Sequence, residues 1–302
     1  MARLIVLNKD EDTLSIIDTD STKTIKTLPT SHNPHEVVIS PDNKTSYITC
    51  SLGNAVDVLD NETLEITSTI HDEDFNFPHG LGIIDDKLYI ASTYNSMIFV
   101  IDRKTHQVVK RFNTNQHLSH MIEFSKDKSR IYVPNIGSNN VTIIDTSTDE
   151  IVDHFPVGKG PEGLGVHEDG YIYVANQTDN SLYVIDETTL ETKYKRRLGE
   201  TPVRLVFSPD GRYALIPNRE SKDLSVIKTN QTVNGKTRPW EIKRIPIGNW
   251  PGGVVFNNKG THAYVANNKT NDISVIDMVS LKETHRIDAG IHPDGIAILE
   301  NE

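Results

Sequence analysis

Short apolar runs, mostly four to six residues long and rich in β-branched and aromatic side chains, alternate along the chain with clusters of Pro, Asp, Asn and Gly. RLIVLN (Arg3 to Asn8), IYVAN (Ile172 to Asn176), LYVID (Leu182 to Asp186), AYVAN (Ala263 to Asn267) and ISVID (Ile273 to Asp277) are examples, and no segment carries a helical period. Such a pattern predicts antiparallel strands joined by tight turns. It also repeats. Each unit opens on an anchor, at Pro34, Pro78, Ser119, Pro161, Pro202, Pro251 and Pro293, at spacings of 44, 41, 42, 41, 49 and 42 residues. Four strands per unit, seven times over, predict an all-β, seven-bladed β-propeller forming a single domain over residues 1–302, because radial closure protects the sheet edges. The N-terminus starts at a second strand and the C-terminal HPDGIAILENE supplies a lone first strand. Residues 293–299 are therefore expected to pair with residues 3–8 and close the ring.

Composition narrows the function classes. Thirty-one Lys and Arg against 42 Asp and Glu give a net charge of −11. A phosphate-tracking groove would work against that field, so no nucleic acid partner is expected. The single cysteine, Cys50, excludes an internal disulfide and a Cys-based zinc cage. No window reaches the roughly 18 apolar residues of a membrane helix, and the apolar run at the start is too short for a signal peptide. A cytoplasmic protein with no membrane partner is the expectation. The Asp that ends each VID-like strand (Asp18, Asp60, Asp102, Asp145, Asp186 and Asp277) precedes a Thr or Ser, as an Asx-type turn requires, and is read as structural.

The YVAN blocks at Tyr173–Asn176 and Tyr264–Asn267, with LYVID and ISVID following them, resemble the YVTN-repeat family of seven-bladed propellers over essentially the whole chain. The resemblance implies the fold. It leaves the activity open, because related propellers include lactonases, lyases and plain binding scaffolds.

Aligning the seven units exposes the candidate chemistry. One residue after the anchor the column reads His35, His79, His120, Glu162, Val203, Gly252 and Asp294. First strands are innermost, so His35, His79, His120 and Glu162 line one side of one mouth of the central channel. Three imidazoles and a carboxylate suit a divalent ion (Zn, Fe, Mn, Ni or Cu) and would leave a coordination position for water or substrate. A water-lined channel and a metal-free acid–base site use the same residues and stay open as readings. Cys50 and Ser92 replace the final Asn of the YVAN block in the two blades carrying His35 and His79 and are expected nearby, Cys50 being read as a small buried filler in preference to a thiol at the site. Arg204, Tyr94 and Trp250 fall around the same mouth as candidate substrate-binding residues, Arg204 suiting an anionic or carbonyl group. Pro34–His35 and Pro78–Gly80 resemble the P-H-[AG]-[IV] segments of streptogramin-lyase propellers; this resemblance implies a divalent ion and a histidine base for His35 and His79 alone. The sequence therefore points to a metal-dependent lyase or lactonase-type hydrolase acting on a small molecule at the channel mouth. The alternative is a non-catalytic propeller that binds a protein or polymer on one face. The oligomeric state is not readable.

Overall fold

The structure of the protein, a computed structural model, describes residues 2–233 and 236–300. Seven four-stranded antiparallel sheets form the blades of a propeller, and in all but the first blade the strands run in chain order from the channel outward. Closure is as expected. Pro293–Glu300 joins the first blade as its innermost strand, with Ala2 opposite Glu300, Leu4 opposite Ile298 and Asn8 opposite Pro293.

The burial pattern explains the sequence pattern. Second and third strands are covered on both faces by neighbouring blades, so segments such as Leu88–Ser92 and Ile172–Asn176 are buried at every position and read as continuous apolar runs. Fourth strands have one face in water, and Gln107–Asn113 alternates exposed and half-buried residues accordingly. The core therefore lies between blades. Tyr47, Val56 and Val58 of the second blade pack against Leu81, Ile83, Ile90 and Phe99 of the third. Burying apolar surface at ~25 cal/mol per Å² makes these seams the main source of cohesion.

Glycines after the anchor let adjacent blades approach. A Cβ on Gly80 would lie 2.4 Å from the Met121 Cα and 2.5 Å from the His120 carbonyl oxygen, and the Gly80 N–H donates to that same carbonyl at 2.8 Å. The six Asx turns hold as well; Asp102, for example, accepts from the Thr105 amide and hydroxyl. The insertion between Asn230 and Trp240 lengthens the outer hairpin of the sixth blade, with Lys228 opposite Trp240 and Gln231 opposite Arg238. Its described residues, 230–233 and 236–240, extend these two strands away from the histidine mouth.

The mouth is built by one repeated device. The residue before each anchor (Asn33, Phe77, Leu118, Gly160, Thr201, Trp250 and His292) has a left-handed backbone, with φ between 55° and 65°. Its carbonyl accepts the amide of the residue that follows the end of the second strand, as in Ser51 to Asn33 and Thr93 to Phe77. This turn recurs at the head of every unit and sets the next-but-one residue at the channel rim.

Ring closure carries a direct test. Deleting residues 293–302 exposes the edge of Ala2–Asn8 and removes the seams around Ile296 and Ile298. The melting temperature measured by circular dichroism should fall by more than about 10 °C, or the chain should become insoluble. An unchanged melting temperature would contradict closure by this strand.

Candidate functional site

Five consecutive positions around the ring carry the polar mouth, because closure places Asp294 beside His35. In order they are Asp294, His35, His79, His120 and Glu162, on the inner strands of blades one, two, three and five and, for His120, just before the inner strand Glu123–Phe124 of blade four. The three imidazoles form a row. Ring centres of His79 and His120 are 3.7 Å apart and stacked, and those of His35 and His79 are 4.4 Å apart and tilted. Carboxylates end the row: Asp294 lies 3.4 Å from His35 Nε2, and Glu162 lies 3.9 Å from His120 Nε2. His35 Nδ1 also meets the Asn33 side-chain oxygen at 3.3 Å, and His120 Nδ1 meets the Thr93 hydroxyl at 3.2 Å. Nδ1 of His79, in the middle, is buried and has no partner.

Burial keeps these rings uncharged. It pushes His35 down to about 3 against the opposing attraction of Asp294, and His120 down to about 4 against that of Glu162. His79 is pushed well below the usual histidine range by burial and by the neighbouring His120 and His35. At neutral pH the mouth thus presents three neutral imidazoles.

Its charge resides in Arg204. This side chain is buried and crosses the channel from the sixth blade. It donates to Glu162 of the fifth blade at 2.5 Å and ion-pairs with Glu36 of the second. The Arg204 amide also donates to Glu162, at 2.7 Å. Its backbone lies in the left-handed region, φ 50°, unlike Glu36 and Met121 at the same place in their blades. Strain of that kind, of order 1 kcal/mol or more, persists only where surrounding contacts fix it. The two carboxylates differ. Burial would raise Glu162, but Arg204, Arg219 and the backbone amide outweigh it and hold the group low. Burial dominates at Glu36 despite Arg204, and pushes it up to about 7. Glu36 faces the lumen, which explains how it is enclosed by protein yet partly reachable by water. Asp294 is held low by His35, Lys9 and Arg219 against burial, with Lys9 Nζ at 3.3 Å. A cavity of about 140 Å³ continues down the lumen, lined by Glu36, Met121, Glu123, Arg204 and Leu205.

Aromatic and cationic groups complete the rim. Phe77 stacks on Tyr94 at 4.5 Å and contacts the His35 and His79 rings at 5.6 and 6.1 Å. Trp250 has Lys269 Nζ 3.4 Å above its ring and the Arg219 guanidinium at 5.9 Å. Tyr94 is exposed.

The structure thus brings together His35, His79, His120, Glu162 and Arg204, and places Tyr94 and Trp250 at the rim. Cys50 and Ser92 lie opposite Pro34 and Pro78 in the strand register, beside His35 and His79 as expected, with their side chains engaged inside their own blades. The Cys50 thiol points to Asp57 in the blade interior, and burial pushes its pKa up; Ser92 is bonded to the backbone of Asn76. Where the Asn is present it braces the blade, as Asn218 does by donating to Ser225; the column is structural. The four-residue set is not arranged as ligands in this conformation. Two imidazoles on one ion, at about 2.1 Å each, hold their ring centres about 5 Å apart, wider than the His79–His120 stack, and Glu162 is engaged by Arg204. Among the described residues no group of three or more His, Cys, Asp or Glu is disposed to hold a metal ion. Glu36 and Asp294 were missed by the sequence reading. Asp294 was visible in the histidine column once the ring is closed; Glu36 stands where most blades have Gly.

A family model described as YNCE-like beta-propeller matches residues 1–302. Antigen Lp49 of Leptospira interrogans is 22% identical over 232 residues, 72% of this chain and 50% of that protein, so the chain spans about half the length of the curated relative it matches. A functionally unknown protein from Desulfotomaculum acetoxidans superposes with a TM-score of 0.85 at 14% identity, covering 99% of both chains. A putative 6-phosphogluconolactonase from Bacteroides fragilis superposes with a TM-score of 0.79 at 16% identity, covering 99% of this chain and 98% of that one. At these identities the superpositions show the fold.

The ion-pair geometry predicts a large effect of removing Arg204. Arg204→Met leaves Glu36 and Glu162 facing each other without a cation, which should cost about 3 kcal/mol in urea denaturation. Adding Glu36→Gln and Glu162→Gln should recover most of the loss. A single variant within about 0.5 kcal/mol of wild type would show that the pair does not form.

Proposed function

The chain belongs to the YNCE-like β-propeller family, and on that scaffold we propose that it is a hydrolase for a small anionic ester, of lactone type, acting at the histidine mouth. One observation carries this reading: a buried, channel-spanning guanidinium sits beside a row of three uncharged imidazoles, one of which has a ring nitrogen with no partner. Arg204 and Arg219 supply positive charge for an anionic substituent or a developing oxyanion. His79 is the imidazole free to take a proton from an attacking water while that water's oxygen bonds to the acyl carbon. The C–O bond of the ester breaks, and the proton passes to the leaving alkoxide. Burial makes His79 a weak base but keeps it wholly in the base form. Phe77, Tyr94 and Trp250 would hold the apolar part of the substrate. The lactonase-like name of one structural neighbour is consistent with this chemistry and does not establish it.

A second reading rests on the same neutral imidazoles: a divalent ion held by His35, His79, His120 and Glu162. It requires the stacked rings to part and Glu162 to leave Arg204. Calorimetry with Zn, Mn, Fe, Ni and Cu, together with assays in EDTA, separates the two readings.

Hydrolysis of a panel of carboxylated and phosphorylated lactones, followed by pH-stat, tests the proposal. Turnover resistant to EDTA is expected, falling at least about 100-fold in His79→Ala. Absence of turnover across the panel would leave a binding scaffold as the better account. The pH dependence has a definite sign. Glu36 is pushed up to about 7, so above pH 7 it is ionised and neutralises Arg204. Below pH 7 it is protonated, and Arg204 is freer to attract an anion. KM for an anionic lactone should fall as pH drops from 8 to 6. Glu36→Gln should show the low-pH KM throughout; a KM that rises on acidification would contradict the assignment.

A further inference from the structure

The positions that follow the anchors are polar on five consecutive blades and open on the next two, where they are Val203 and Gly252. Little protein fills the opening. Among the described residues, a Cβ built on Gly252 would meet within 4 Å only the Asp294 carboxyl group, its Oδ1 at 2.7 Å and its Cγ at 3.7 Å. Asp294 is 2% exposed. Lys9 and His35 engage its Oδ2, but Oδ1, the oxygen that faces the opening, is buried and has no partner among the described residues. A buried carboxylate oxygen without a donor is costly, so its presence points to a donor supplied from outside.

The ends of the second strands bring complementary groups to the same place. The residue after each second strand reaches toward the following blade: the Ser51 hydroxyl donates to the Pro78 carbonyl at 2.7 Å, and the Thr93 hydroxyl meets His120 at 3.2 Å. In blades six and seven that position is held by Arg219 and Asn268, which the repeat directs toward Gly252 and Asp294. Arg219 Nε and Asn268 Nδ2 are both buried donors without a partner among the described residues, where Arg219 also forms no ion pair. Arg219 is close enough to Asp294 to help hold that carboxyl low. Its guanidinium lies 5.9 Å from the Trp250 ring, over which Lys269 Nζ stands at 3.4 Å. One opening is thus bordered by an unfilled acceptor and two unfilled donors. Three cations, Lys9, Arg219 and Lys269, outnumber the Asp294 carboxylate there, beside a neutral His35.

We propose that this opening binds a small hydroxy acid, whose hydroxyl donates to Asp294 Oδ1 and accepts from Asn268, and whose carboxylate pairs with Arg219. A hydroxyl suits the first two groups because it donates and accepts at once. An ammonium group would be opposed by the surrounding cations, and a plain alkyl chain would leave both buried groups unfilled. The inference deepens the lactonase-type reading of the mouth and rests on it for the ligand's origin: a lactone opened by water leaves a hydroxyl and a carboxylate on one molecule.

Calorimetric titration of the full chain with γ-hydroxybutyrate and D-gluconate tests the inference, against butyrate, hexanoate and sorbitol. At least one of the two hydroxy acids should bind saturably, at least about tenfold tighter than its plain counterpart and than sorbitol. Arg219→Gln should weaken that binding at least about tenfold at an unchanged melting temperature. Asp294→Ala should erase the preference for the hydroxyl, so that hydroxylated and plain acids bind alike. Should that variant fail to fold, Gly252→Ala narrows the opening with every charge in place, and should also weaken binding at least about tenfold. No saturable binding, a plain acid bound as tightly as its hydroxylated counterpart, or affinity and preference unchanged in the folded variants overturns the inference. Binding is read at equilibrium, so a hydroxy acid can bind where no lactone is turned over, and the reverse; the two readings fail separately.

Discussion

Arg204 is the strut on which the mouth depends. It reaches from the sixth blade across the channel to Glu36 of the second, and beside it to Glu162 of the fifth. One guanidinium thus ties the adjacent fifth and sixth blades to the second blade across the channel. Taking such a charge out of water is costly, and only two carboxylates and good geometry offset it. The strained backbone at Arg204 fits this account, because a left-handed residue of this kind persists only where surrounding contacts hold it. Arg204 also disfavours protonation of the adjacent imidazoles, and burial outweighs the attraction of Asp294 and Glu162 and leaves them neutral.

The propeller makes such a site inexpensive to build. Cohesion comes from the seams between second and third strands, where the apolar repeat is kept in every blade. The position after each anchor faces the channel rather than a seam, so it can vary from His to Glu to Gly without disturbing the ring. The left-handed residue before the anchor and its backbone bond recur at that position whatever side chain follows. The scaffold thereby places chemically different groups side by side with little positional freedom.

The architecture was legible because the repeat turns one sequence into seven aligned ones; spacing alone gave blade number, strand order and the closing strand. His35, His79, His120 and Glu162 were legible for the same reason, since adjacency in the ring follows from adjacency in the column. The rest depended on contacts between distant blades. Nothing in the spacing says that Arg204 turns inward to span the lumen, or that Glu36, two residues after its anchor where Gly is usual, meets it there. The departures at Cys50 and Ser92 fall beside His35 and His79, and the Asn they replace serves the blade, bonding a hydroxyl on the next strand, as Asn135 does with Thr142. The pairing of that Asn with its hydroxyl is a tertiary fact, visible only once the strands are in register.

The central claim is that the mouth holds three uncharged imidazoles next to a charge-paired arginine. It is tested most directly by following the ring nitrogens of His35, His79 and His120 by ¹⁵N NMR between about pH 8 and 5. The account predicts that none of the three takes up a proton in that interval, since burial holds His35 near 3, His120 near 4 and His79 well below its usual range. Protonation of any of them with a midpoint near the ordinary histidine value, about 6.5, would contradict it.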